Sequence, residues 1–361
     1  MKKTPAKKEK VAVKPVGKKE LLTGNEVLLR GALAAGADFF AGYPITPTTE
    51  ILQGWANAAA KNKALEFIQM EDEISSGFAV IGALLAGKRA WTATGGMGHV
   101  LMQDPLAVAE SYRLPFVIYV GQRGGPATGT VIYSQQELTL ARFGGNGEGL
   151  RIVYAPSTLA EMYYYMQKAF DTAWKYRFPV IVLGDGYLSK MEAPVELAKK
   201  VKVAPTSPYF LNGPIKNMRN CFSVESELAE HLNFMFKEFS EASKEIVESE
   251  SHLIQGAEIV VFAWGSVGYA AKVAVTRMRQ ENIKVGLFRP ITMRPFDTAA
   301  AIKAAARAKY IIIAESSAGH FGRIVRETLA QATEAQYIRL YKPAEGITSE
   351  EIEAKIREVA K

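Results

Sequence analysis

Short apolar runs alternate along this chain with helical patterns, and the loops between them are only a few residues long. The runs are Phe39–Tyr43, Phe67–Met70, Ala90–Thr94, Phe116–Val120, Ile152–Tyr154 and Pro179–Leu183. Helical patterns follow at about 50–60, through the small residues Ser75, Ser76, Gly77, Ala79, Gly82 and Ala83, and at about 99–111 and 157–175. A strand that leads into a helix and then into another strand packs as a parallel pair, so the expected fold is a doubly wound parallel sheet. Residues 187–255 break the rhythm with Pro194, Pro205, Pro208 and Pro214, then a charged stretch from Val224 to Ser251. Its apolar positions Leu228, Leu232, Met235, Phe236 and Phe239 read as one helical face. The rhythm resumes at Gly256, with strands expected at 258–263, 284–288, 310–314 and 337–341 and helices at 267–280, 298–306, from about Gly322, and at 349–360.

This divides the 361 residues into a basic tail at 1–20, a first unit at 21–190, a connector with an amphipathic helix at 191–255, and a second unit at 256–361. The net charge of +7 sits almost entirely in the tail, which holds eight lysines against Glu9 and Glu20. A lysine-rich segment without periodicity is expected to be disordered and solvated; contact with nucleic acid or a membrane surface is the alternative. No apolar run approaches bilayer length and no signal peptide is apparent, so the expected compartment is the cytoplasm. The single cysteine, Cys221, cannot form a disulfide within the chain or ligate an Fe–S cluster alone. His99, His231, His252 and His320 share no ligand spacing, and no metal site is expected on this chain.

Chemistry is expected where strands end. Gly42-Tyr43-Pro44-Ile45-Thr46-Pro47-Thr48-Thr49-Glu50 joins the first strand to its helix. The prolines push Tyr43 and Thr46 toward extended backbone, and Thr48 or Thr49 is expected to cap the helix. Glu71-Asp72-Glu73, Gly95-Gly96-Met97-Gly98 and Arg123 follow later strands. In a parallel sheet these ends share one rim, the usual ligand crevice. A carboxylate, an arginine and a hydroxyl there suit an acidic substrate. The alternative is that each residue is a helix cap, since acidic residues at a helix N-terminus are favourable on dipole grounds alone. Gly184-Asp185-Gly186 could open a diphosphate motif, but the asparagine that should complete it is absent from a suitable helix; Asn212 lies before Gly213 and Pro214. A turn is expected instead.

Gly24-Asn25-Glu26, Gly42 to Pro47, Gln69-Met70-Glu71-Asp72-Glu73 and Gln122-Arg123-Gly124-Gly125-Pro126-Ala127-Thr128-Gly129 together resemble the alpha subunit of 2-oxoacid:ferredoxin oxidoreductases. Arg289-Pro290-Ile291 resembles a transketolase C-terminal domain. The resemblance covers about residue 21 to the end. It implies a thiamine-diphosphate-binding fold of pyrimidine type, followed by a transketolase C-terminal-like α/β domain. It implies an enzyme active only with a beta subunit, which carries Mg²⁺ and an Fe–S cluster, with or without gamma and delta ferredoxin-like subunits. Substrates would be a 2-oxoacid and coenzyme A, nearest in flavour to 2-oxoglutarate or branched-chain 2-oxoacids, with electrons passing to ferredoxin.

By the same resemblance Glu73 matches the glutamate that bonds the aminopyrimidine N1′, with Glu71 as the fallback. Thr46 and Arg123 match the positions that receive the substrate carboxylate or 2-oxo oxygen, with Asn146 on the substrate side. Tyr43, Pro44, Ile45, Thr94, Gly95 and Gly96 would contact the cofactor ring. The chain departs from the family pattern at Gly95-Gly96-Met97-Gly98, often Ser-Gly-Pro-Gly, and at Asn146, often histidine. A transketolase-like or decarboxylase half-enzyme without a cluster, and a non-catalytic scaffold subunit, are the competing readings.

Overall fold

The computed structural model describes residues 19–197, 200–206 and 219–361. The basic tail up to Lys18 lies outside these residues, as do Asn212 and the prolines Pro208 and Pro214. Two sheets carry the fold. In the larger one the order is Thr292–Arg294, Ile152–Tyr154, Val180–Asp185, Val117–Gln122, Ala90–Thr94, Phe39–Gly42, Glu66–Gln69. All its pairings are parallel except that of Thr292–Arg294 with Ile152–Tyr154. The second sheet has the order Gln336–Tyr341, Tyr310–Glu315, Ile259–Phe262, Val285–Pro290, Ser249–His252.

Side-chain alternation along the strands builds the cores. Phe39, Ala41, Ile118 and Val120 enter one buried cluster, while Phe40, Trp91, Val117 and Tyr119 enter another on the opposite face. The first cluster continues into the second sheet through Val260, Phe262, Trp264 and Phe288. The two sheets therefore share apolar packing. A third cluster, with Val261, Ala271, Leu287 and Ile352, covers the far face of the second sheet.

Four short strands had no clear sequence signal. Glu20–Thr23 pairs antiparallel with Glu192–Val195, a strand that contains Pro194. Ser249–His252 joins the second sheet, and Thr292–Arg294 crosses back to edge the first. Each is only three or four residues long, too short for periodicity to declare. The amphipathic helix runs over Glu225–Ile246 and buries Met235, Ala242 and Ile246. Leu228 and Phe236 of the expected stripe are exposed, so the docking face is narrower than that pattern and sits in the second half of the helix.

Arg289 ties the units together. Its guanidinium donates to Ser157 Oγ at 2.9 Å, to Glu161 Oε1 at 2.8 Å and Oε2 at 3.0 Å, and to Glu250 Oε2 at 2.8 Å. Arg289 is buried, and its carboxylate partners are largely screened from water. Removing the cation takes the ion-pair partner from Glu161 and leaves Glu250 with Lys272 alone. Arg289→Met should destabilise the chain by about 3 kcal/mol, seen as a lower urea midpoint; an unchanged midpoint would show that the tie contributes nothing net.

Candidate functional site

The strand Phe39–Gly42 lies between two neighbours that the chain visits in opposite directions. Residues 66–69 pair on one side and the next strand, 90–94, on the other. This is the topological switch point of the sheet. Pairing with Glu66–Gln69 runs the whole strand, but pairing with Ala90–Thr94 comprises Phe39↔Ala90 and Phe40↔Trp91. Beyond those residues the carboxyl ends part, and a crevice opens where such folds bind ligands.

The Pro-rich loop forms one lip. Asn25, buried in the helix Gly24–Ala34, donates to the Pro47 carbonyl at 2.8 Å and to Glu50 Oε2 at 2.8 Å. The Thr23/Glu26 capping box fixes the start of that helix. Gly24 is required by contact: a Cβ there would lie 1.8 Å from the Leu188 carbonyl oxygen. Thr48 is the N-cap residue of the helix Thr49–Lys61, yet its hydroxyl does not cap. It donates to the Ile45 carbonyl at 3.0 Å instead and closes the turn. Thr46 is half-buried, Tyr43 exposed.

The acidic triplet divides its labour. Asp72 caps the helix Glu73–Leu85, accepting the Ser75 N–H at 2.7 Å. Glu71 is exposed. Glu73, the first helical residue, is 4% exposed and points inward. Thr94 Oγ1 donates to Glu73 Oε1 over a long 3.4 Å. Burial pushes the Glu73 carboxyl above the usual range, with Asp72 adding to the rise and the Thr94 bond and Arg123 opposing it. Gly98 packs directly against this pair: a Cβ there would lie 2.2 Å from Glu73 Oε1 and 2.1 Å from Thr94 Oγ1. Gly77 of the same helix packs on the helix Gln103–Ser111, its notional Cβ 2.3 Å from Pro105 Cγ, the close approach that a small-residue helix permits.

Arg123 follows the strand Val117–Gln122 and is buried. Its Nη1 donates to the Thr46 carbonyl at 3.2 Å, so the Pro-rich loop and the arginine meet across the crevice. Gly96, at φ +60°, lies beneath the Arg123 side chain; a Cβ there would be 2.2 Å from Nε. The structure thus brings Thr46, Glu73, Thr94, Gly95, Gly96 and Arg123 to one rim. Asn146 is exposed in the loop after the helix Leu138–Phe143 and makes no hydrogen bond to Thr46, Glu73 or Arg123 among the described residues.

Two buried rim residues escaped the sequence reading: His99, in the short helix Met97–Leu101, and Glu137, in the polar run Ser134-Gln135-Gln136-Glu137. Nothing local distinguishes that run from a surface loop. Gly184-Asp185-Gly186 is not the expected turn: the strand Val180–Asp185 runs directly into the helix Gly186–Lys190, and the wholly buried Asp185 caps that helix, accepting the Leu188 N–H at 2.9 Å and bonds from Ser266. Burial raises its carboxyl to about 6. Its acceptors are already engaged in joining the two units. Among the described residues no group of acidic, histidine or cysteine side chains could hold a metal ion, and no helix is long and apolar enough to cross a membrane.

Known proteins resemble this chain along nearly all of it. Residues 30–255 match the family described as "Pyruvate flavodoxin/ferredoxin oxidoreductase, thiamine diP-bdg", and residues 257–355 match "Pyruvate:ferredoxin oxidoreductase core domain II". The ketoisovalerate oxidoreductase subunit VorB of Methanothermobacter marburgensis is 33% identical over 94% of this chain and 98% of its own length. The 2-oxoglutarate synthase subunit KorA of Methanocaldococcus jannaschii is 33% identical over 91% of this chain and 98% of its own. Among solved structures, the 2-oxoglutarate:ferredoxin oxidoreductase from Magnetococcus marinus, with 2-oxoglutarate, coenzyme A and succinyl-CoA bound, superposes with a TM-score of 0.86. The match has 24% identity and covers 96% of this chain and 66% of that one. A split-gene transketolase, an inactive β4 tetramer, gives a TM-score of 0.61 at 14% identity over 95% of this chain and 98% of its own.

Glu73 carries a measurable signature. Because burial raises its folded pKa, the stability it contributes is present at low pH and is lost as pH rises through that folded value. Glu73→Gln removes the penalty. The variant should be more stable than wild type at pH 8, with the gap closing toward pH 4, in thermal melts of the isolated chain. Equal stability at all pH values would mean the carboxylate is solvated.

Proposed function

This chain belongs to the pyruvate flavodoxin/ferredoxin oxidoreductase family, and on that premise we propose that it is the alpha subunit of a 2-oxoacid:ferredoxin oxidoreductase. The reaction is oxidative decarboxylation of a 2-oxoacid, 2-oxoglutarate or a branched-chain 2-oxoacid, to acyl-CoA and CO₂ with electrons passed to ferredoxin. Residues 21–190 form the pyrimidine-binding unit, 191–255 the connector and 256–361 a transketolase C-terminal-like unit. The partner is a beta subunit, with gamma and delta subunits where the complex includes them, and the complex is cytoplasmic.

The observation that carries the reading is Glu73: a buried carboxyl with a raised pKa and one long hydrogen bond from Thr94, approached by the bare backbone of Gly98. Such a group fits a flat heterocycle that shares a proton with it, as the aminopyrimidine of thiamine diphosphate does. When bound, thiamine diphosphate supplies the carbanion that attacks the 2-oxo carbon and accepts the electrons freed by loss of CO₂. Glu73 holds a proton between its carboxylate and the ring N1′, and its raised pKa eases that sharing. Tyr43, Pro44, Ile45, Thr94, Gly95 and Gly96 line the ring. The Thr46 hydroxyl and the planar Arg123 guanidinium receive the 2-oxo oxygen and the carboxylate of the substrate. Asn146 stands toward the substrate side chain. Mg²⁺ and the Fe–S cluster belong to the beta subunit; a chain with one exposed cysteine cannot supply the cluster's ligands.

Anaerobic purification of the native complex should yield thiamine diphosphate, iron and a second chain together, and Glu73→Gln should keep assembly while losing turnover. Thiamine diphosphate without iron would assign a cluster-free decarboxylase or transketolase-like enzyme, and wild-type turnover in the variant would remove Glu73 from the chemistry. Arg123→Ala should raise KM for the 2-oxoacid by about tenfold or more, the value of a charge-assisted pair. An unchanged KM across a panel of 2-oxoacids would make Arg123 structural.

A further inference from the structure

Glu137 is the N-cap residue of the helix Leu138–Phe143, yet its side chain does not cap it. It turns back to the rim. Oε1 accepts the backbone N–H of Gly96 at 2.9 Å and of Arg123 at 2.9 Å. Oε2 lies 2.8 Å from His99 Nδ1. Its own backbone N–H donates to Gln122 Oε1 at 3.2 Å, and Gln122 in turn donates to the Gly184 carbonyl at 2.9 Å. Glu137 is 7% exposed and His99 is fully buried. One carboxylate therefore joins the loop after Ala90–Thr94, a strand beside the crevice, to the loop after its neighbour Val117–Gln122.

The consequence falls on Arg123. Its side chain crosses Gly96 so closely that no Cβ fits, and its Nε is buried without a partner. The stem is thus aimed by the position of Gly96, and Glu137 sets that position. His99 continues the network. Its carbonyl accepts from Gln103 Nε2 at 2.8 Å, and Gln103 Oε1 accepts from Arg151 Nη1 at 2.8 Å. Arg151 Nη2 donates to the Gly144 carbonyl at 2.8 Å, at the root of the loop that bears Asn146.

We propose that Glu137, oriented by His99, is a positioning residue for substrate carboxylate binding: it places Arg123 through Gly96 and the Arg123 backbone. The inference rests on the assignment of Arg123 above. A misplacement of the guanidinium by an ångström weakens a bidentate pair steeply, so loss of Glu137 appears in substrate recognition before it appears in the chemical step.

The test uses the assembled complex saturated with thiamine diphosphate. Glu137→Ala should raise KM for the 2-oxoacid about tenfold, with a smaller change in kcat and no change in KM for coenzyme A. In an Arg123→Ala background the same substitution should add no further increase, because both act through one contact. His99→Asn, whose amide can replace the Nδ1 donor, should keep KM within about twofold of wild type, whereas His99→Ala should not. These His99 variants carry the test by themselves if Glu137→Ala does not assemble. A raised KM in Arg123→Ala with an unchanged or fully additive effect of Glu137→Ala overturns this inference alone, as does equal behaviour of His99→Asn and His99→Ala. A wild-type KM in Arg123→Ala overturns the assignment of Arg123 and this inference with it.

Discussion

The crevice exists because two neighbouring strands stop pairing. Phe39–Gly42 and Ala90–Thr94 share register at their first residues and then part, and the helices after them pack in different cores, Ile51 and Trp55 in one and Leu106 in the other. Everything placed at the rim depends on that parting. The Pro-rich loop hangs on one strand, the glycine turn on the other, and the helix Glu73–Leu85 brings its first residue between them. Hydrogen bonds that a continuous ladder would have used are replaced by local ones: Asn25 to Pro47, Thr48 to Ile45, Glu137 to Gly96. The backbone there is held by buried polar side chains, which cost free energy to bury unless every partner is in place.

Glu73 and Arg123 show two ways of keeping a charged group in such a place. Arg123 shares its surroundings with Thr46 and Glu137, and its backbone is tied as firmly as its side chain. Glu73 has little to hold it, and desolvation shifts its equilibrium toward the neutral acid. A site that leaves a carboxyl under-satisfied is less stable than the same fold with an amide there, which is the usual relation between a prepared functional group and its scaffold.

The strand–helix alternation was readable because Phe39–Gly42, Ala90–Thr94 and Val180–Asp185 are short, mainly apolar and end in glycine, threonine or aspartate. Rim membership followed from the parallel topology, so Thr46, Glu73 and Arg123 could be gathered before any coordinates. Choosing Glu73 over Glu71 rested on resemblance, and burial is what separates them physically. Glu137 and His99 were not readable. Their partners are 41 and 38 residues apart in sequence, and nothing in a local window signals a side chain that leaves its own helix to bond another loop. Thr292–Arg294 was hidden for a related reason: its pairing is set by a strand more than a hundred residues earlier.

That last strand bears on how the protein is made. The sheet that forms the crevice borrows its final edge from residues 292–294, and Asp185 at its carboxyl end is bonded by Ser266. During synthesis the first unit emerges from the ribosome with Ile152–Tyr154 unpaired along one side, and it stays so until the second unit follows. A bare apolar edge is an invitation to pair with another nascent chain. The order of translation therefore places a stretch of vulnerability in the middle of this polypeptide's birth, when chaperone cover matters most.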